Sequence, residues 1–138
     1  MTQPFTQTNE NSSPMIYKEH NEIIYAICFI DNNKFATAAG DYLIKIWDVD
    51  LGCSLGSLKG HLAEVTGLKS YSLSLRRILV SCSIDRTIRF WDLTNFKCFS
   101  IISTSHPKGI RCLELLEDHN LLAAGSEDKT ISIWSIKG

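Results

Sequence analysis

The chain predicts an all-β fold built from about three four-stranded antiparallel repeats, and three observations lead there. The run from Ile78 to Leu93, ILVSCSIDRTIRFWDL, has counterparts both upstream and downstream: Asp41 precedes Trp47 by six residues, as Asp85 precedes Trp91 and Asp128 precedes Trp134. Each tryptophan also follows a histidine, His20 by 27 residues, His61 by 30 and His106 by 28. No stretch longer than a few residues carries the 3.6-residue apolar period of a helix, whereas short alternating or β-branched runs are frequent.

The elements follow in order. Residues 1–14 hold Pro4, Pro14 and a polar tract in which Phe5 is the one sizeable apolar side chain. Such a segment cannot bury enough surface to offset its ordering entropy, and it reads as a flexible tail. Met15 to Glu19, placed before His20 as LGSLK is before His61, reads as an outer strand that precedes the first full repeat. The first repeat (15–58) then has strands at 23–30, 35–40, 43–49 and 54–58, with Asp31-Asn32-Asn33 and Asp50-Leu51-Gly52 as turns. The second (59–103) has strands at 65–71, 77–83, 87–93 and 98–103. The third (104–138) has strands at 110–116, 121–126 and 130–136, with a Glu117-to-Asn120 turn, and stops one strand short of four. Strands of about five to seven residues in groups of four match the dimensions of propeller blades.

A period of about 40 to 45 residues with histidine early and Trp-Asp late is a propeller-repeat signature. On Gly60-His61 and Trp91-Asp92, the fullest copy, the sequence from about residue 16 onward resembles the WD40 repeat family. That resemblance implies a hydrogen-bonded chain in each repeat: a histidine, a hydroxyl on the second strand, an aspartate in the next turn and the tryptophan. The need is physical, because a buried tryptophan N–H can only donate and must find an acceptor. Carried over, the chains are His20, Thr37, Asp41 and Trp47; His61, Ser81, Asp85 and Trp91; and His106, Asp128 and Trp134. In the third, Ala124 stands where the hydroxyl belongs and Ser135 replaces the aspartate after tryptophan, so an incomplete or water-closed network and the least stable repeat are expected. Glu19 replaces the usual glycine before His20.

The resemblance also implies a recognition face around the first strand and the turn after the second. Its candidate protein-binding residues are Ile23, Tyr25 and Gly40; Glu64, Thr66 and Ile84; and Gly109, Arg111 and Glu127. Tyrosine and arginine are favoured interface anchors, and an exposed Ile23 or Ile84 would suit a protein or peptide ligand.

Composition narrows the function classes. With 14 basic and 15 acidic residues the net charge is −1, and neither sign forms a run, so binding to nucleic acid or an anionic membrane has no electrostatic support. No apolar stretch approaches the roughly 20 residues that cross a bilayer, and residues 1–14 lack the basic start and apolar core of a signal peptide. These features lead us to expect a cytoplasmic or nuclear protein. Cys28, Cys53, Cys82, Cys98 and Cys112 form no C-x-x-C pair and read as packed thiols. No metal or cofactor motif appears, nor a phosphate loop, G-x-S-x-G or H-E-x-x-H. His and Asp repeated three times at constant spacing to a tryptophan fit structural staples, not an active site.

The expectation is therefore a non-catalytic scaffold for proteins or peptides, with no cofactor. The alternatives are a substrate- or peptide-recognition subunit of an enzyme complex such as a ubiquitin ligase and, less favoured, an enzyme of propeller fold. The W-D-x-R box of ligase receptors is not supported, since Asp50, Thr94 and Lys137 stand at its arginine position. Ring closure takes about four to eight blades, so three call for a longer parent chain, self-association or a partner that covers the ends.

Overall fold

The computed structural model describes residues 13–136; the expected tail lies almost wholly outside them. Eleven strands form three antiparallel sheets, each a meander in chain order. The first sheet holds β1 (Ile24–Asp31), β2 (Lys34–Ala39), β3 (Ile44–Asp48) and β4 (Cys53–Leu58); the second holds β5 (Val65–Leu73), β6 (Arg76–Ser83), β7 (Thr87–Asp92) and β8 (Lys97–Ser103). The third holds β9 (Ile110–Leu116), β10 (Leu121–Ser126) and β11 (Ile131–Ser135), with a 3-10 turn at Glu117–His119 and Asn120 in the left-handed region.

Alternation along the strands gives every sheet two apolar faces, which is why the sheets stack. Ile30, Ala36, Ala38, Ile44, Ile46 and Leu58 of the first sheet pack against Val65, Leu68, Leu79 and Trp91 of the second. The opposite face of the second sheet, with Ile78, Val80, Cys82, Ile88 and Phe90, meets Ile110, Leu113, Leu122 and Ala124 of the third. Alanines on β2 leave room for a close approach. The two end faces lie open: Ile27 and Phe29 on one side and Ile131 and Ile133 on the other are 60% or more exposed.

Met15 to Glu19 does not form the expected strand. It pairs with no described strand and lies instead over the open face of the first sheet. Tyr17 stacks on Trp47 and Phe35, with ring centroids 5.2 and 5.9 Å apart, and Glu19 accepts a hydrogen bond from Ser54 Oγ at 2.7 Å. Tyr17 thus does for Trp47 what Leu58, also three residues before a histidine, does for Trp91 in the core between the first two sheets.

The three tryptophans are held by the same relay. Trp47 Nε1 donates to Thr37 Oγ1 (2.8 Å) and Trp91 Nε1 to Ser81 Oγ (2.9 Å); each hydroxyl stands 2.7 Å from Nε2 of His20 or His61, and each Nδ1 stands 2.9 Å from Asp41 or Asp85. A hydroxyl that accepts from tryptophan donates onward to Nε2, which leaves the imidazole proton on Nδ1 facing the carboxylate.

The third relay corrects the expectation of a gap. Ser132 Oγ accepts from Trp134 Nε1 and lies 2.9 Å from His106 Nε2, while His106 Nδ1 meets Asp128 at 2.7 Å. Ser132 is the direct cross-strand partner of Ala124, as Lys45 is of Thr37 and Arg89 of Ser81. Paired residues share a sheet face, so the hydroxyl has crossed from the second strand to the third without leaving its place. A different donor is missing instead. The amides of Asn21 and Leu62 donate to Asp41 and Asp85, but Pro107 follows His106 and has no N–H.

The aspartates also shape the turns. Each precedes a residue in left-handed conformation, Tyr42, Arg86 or Lys129, with φ of 72–74°. Such a conformation costs about 1 kcal/mol or more for a residue with a side chain. The cost is offset by hydrogen bonds from the next amide, Leu43, Thr87 or Thr130, to the same carboxylate. For Asp85, burial favours the neutral acid but is outweighed by donors on His61, Thr87 and Leu62, and the carboxyl lies below its usual range. Asp128 is lowered to about 2, chiefly by the Thr130 hydroxyl, with burial opposing and His106 adding to it.

The cysteines are less uniformly packed than expected. Cys82 alone is fully buried, which pushes its thiol up to about 12; Cys28 and Cys98 are half-buried, and Cys53 and Cys112 are exposed. Those two lie on strands whose other face makes the contacts.

Three outcomes follow. Trp91→Ala removes a large side chain from between two sheets and lowers unfolding stability by about 3–5 kcal/mol, read from the denaturant midpoint. Ser132→Ala strands two polar groups and costs about 1–3 kcal/mol; adding Ala124→Ser returns a hydroxyl to the same face and restores most of the loss in equilibrium unfolding. The depressed aspartates bind protons more tightly when unfolded, at about 3.9. Their stabilisation is therefore complete above that pH and is lost as pH falls through the folded values. Unfolding midpoints decline between about pH 4 and pH 2, and Asp128→Asn shows a smaller decline over that window.

Candidate functional site

In each meander the turn between the second and third strands lies at one end, together with the segment that enters the first strand. The three aspartates anchor these turns, so that end of the molecule is a row of rigid loops. The same backbone bond recurs along it: the amides of Gly40, Ile84 and Glu127 donate to the carbonyls of Ile23, Glu64 and Gly109 at 2.8, 3.0 and 2.9 Å. Ser83 and Ser126 reinforce two of the three. Their hydroxyls donate to the carbonyls of Glu64 and Gly109 and accept from the amides of Asp85 and Asp128. In the first repeat Ala39 holds that position.

These bonds place most of the candidate residues in one strip. Tyr25 and Glu64, from neighbouring sheets, converge over Gly40, where a Cβ would come 3.5 Å from the tyrosine ring and 3.7 Å from the glutamate Cγ. Ile84 sits on Gly109, where a Cβ would come within 2.7 Å of the Ile84 Cα, so this join between the second and third sheets admits only glycine. Ile23 is 66% exposed and Tyr25 41%, an apolar and an aromatic side chain on one open edge. Ile84 is only half-exposed because of its seat on Gly109.

Two candidates depart from a solvent-facing role. Thr66 is buried: its hydroxyl donates to the Ile110 carbonyl at 2.6 Å and ties the second sheet to the third. It matches Tyr25 and Arg111 in sequence position but lies where a neighbouring sheet covers it. Arg111 is exposed but committed, since Nε and Nη2 both donate to Glu127 Oε2 at 2.9 and 2.6 Å. Its charge is neutralised within the strip, which weakens the case for a basic peptide pocket.

Chemistry is scarce at this end. Both ring nitrogens of His20, His61 and His106 are engaged within the relays. Among the described residues no group of three or more His, Cys, Asp or Glu side chains could hold a metal ion. Sequence reasoning missed Ser132, Ser83 and Ser126. The signal available for Ser132 was its place opposite Ala124 once the strands are paired.

The WD40 family (WD domain, G-beta repeat) matches residues 11–48, 52–92 and 96–135. The chain is 30% identical over 127 residues to nuclear distribution protein nudF of Aspergillus niger, a match covering 91% of this chain and 29% of that protein. It is 25% identical over 134 residues to human WD repeat-containing protein 41, covering 94% and 28%. Among solved structures, the WD40 β-propeller domain of Doa1 superposes with a TM-score of 0.76 at 26% identity, over 86% of this chain and 38% of that one. The chain thus spans less than a third of the length of the two curated relatives. Three stacked sheets with three closed Trp-hydroxyl-His-Asp relays are blades of this type, and the chain belongs to the WD40 repeat family.

Proposed function

We propose that this chain works without chemistry of its own, as a protein-interaction scaffold that binds a partner through the strip of Ile23, Tyr25, Glu64 and Ile84. The observation that carries the reading is the convergence of Tyr25 and Glu64 over Gly40, beside an exposed Ile23, on loops that the relays hold rigid. An aromatic anchor with an apolar neighbour on a preorganised edge loses little conformational freedom on binding, the condition under which modest area yields useful affinity. The engagement of all three relay histidines supports a non-catalytic role, and Glu64, the one charged side chain of the four, is acidic, which favours a protein over a nucleic acid.

The test is site-specific photocrosslinking in cells with benzoylphenylalanine at Tyr25, compared with the same group at Phe99 on the outer strand β8. Discrete crosslinked partners are expected from position 25 and not from position 99, and Ile23→Asp should abolish them while leaving the circular dichroism spectrum intact. An identical pattern from both positions, or one indifferent to Ile23→Asp, overturns the assignment.

A further inference from the structure

The opposite end of the sheets carries a second feature. There the β1–β2, β5–β6 and β7–β8 turns converge on a groove of about 260 Å³ between the first and second blades. Its floor includes Ile30, which is buried, and its wall includes Phe96 and Leu75. Sites for whole small molecules run from about 300 to 1,000 Å³, so this volume suits one or two side chains better than a cofactor.

Two details set the chemistry of its occupant. Leu75 is fully exposed in the Ser74-Leu75 turn joining β5 to β6, where Ser74 takes φ of 55°. Glycine, asparagine and aspartate are the residues such turns favour. Ser74 takes the left-handed place that such residues favour, and Leu75 beside it has its apolar surface in water until something covers it. The second detail is Arg77, half-buried at the groove. Its guanidinium donates to Ser72 Oγ at 2.8 Å, Ser70 Oγ at 3.3 Å and the Ile30 carbonyl, all neutral acceptors, while Nε has none. Among the described residues no carboxylate pairs with Arg77. Nearby, Lys34 and Asp31 form only a loose pair at 3.9 Å, which leaves the rim with one net positive charge. A partly buried cation without a counter-ion favours an arriving anion.

We propose that this groove is a second docking site, for an extended peptide segment that inserts a leucine- or phenylalanine-sized side chain between Leu75 and Phe96 and sets an adjacent carboxylate against Arg77 and Lys34. It lies between blades that pack on each other, so it does not depend on how the two open end faces are covered. Because the strip and the groove occupy opposite ends of the sheets, one chain holds two partners at once and bridges them.

The experiment measures fluorescence anisotropy of an array of fluorescein-labelled pentapeptides, with Leu or Phe at the centre and Asp or Glu on either side, titrated against the purified chain. Acid-flanked Leu or Phe peptides are expected to bind saturably and to weaken with added salt, while Ala-centred and Lys-flanked versions fail. Leu75→Asp, a change at a fully exposed turn that leaves folding intact, should weaken binding at least tenfold. Ile23→Asp, at the other end, should leave it unchanged. The proposal is overturned if no acid-flanked peptide gives a saturable signal up to millimolar concentration, if Ala-centred peptides bind equally well, or if Leu75→Asp binds as the parent does.

Discussion

The constraint on which the rest depends is the buried indole N–H. Stacking sheets face to face requires bulky apolar residues on the third strand, and tryptophan supplies the most surface, but its one polar atom can only donate. A hydroxyl beside it solves this and, having accepted, must donate in turn. Histidine Nε2 takes that proton, and aspartate fixes the remaining imidazole N–H. The relay therefore ties the third strand, the second strand, the entering segment and the following turn to one another, and three of these in succession hold the loops that make up the candidate interaction edge.

The third blade shows that the relay is defined by position in space and not by position in sequence. Ala124 lacks the hydroxyl, yet Ser132, paired with it across the ladder, presents an oxygen at the same point. What is lost there is the amide donor that Pro107 cannot provide, so the third aspartate leans on Thr130 and His106. Interaction surfaces follow the same logic. Tyr25, Thr66 and Arg111 hold matching positions, but the first is open, the second is covered by the next blade and the third is paired with Glu127. Repetition of sequence does not produce repetition of exposure, because neighbours differ.

The two ends of the stack are unlike. On the first blade, Tyr17 and the segment around it lie over Trp47 and Phe35, and that tryptophan is buried beneath them. On the third, Ile131 and Ile133 face outward uncovered. The segment reads as a strand on composition, yet a strand exists only with a ladder partner, and it has none among the described residues.

Local pattern alone determined a great deal. The Asp-to-Trp spacing, the early histidines and the alternating strands were enough for the repeat class, the order of the strands to within a residue or two at most ends, and nearly every relay residue, because each depends on periodicity and on fixed offsets along the chain. Tertiary structure decided what depends on which residues meet across strands and between blades. It assigned the third hydroxyl to Ser132, buried Thr66, neutralised Arg111, left Cys53 and Cys112 exposed, and opened the groove beside Leu75 and Arg77. The physical reason is that hydrogen-bond closure and solvent exposure are properties of pairs and surfaces far apart in sequence, whereas strand formation is written in neighbouring residues.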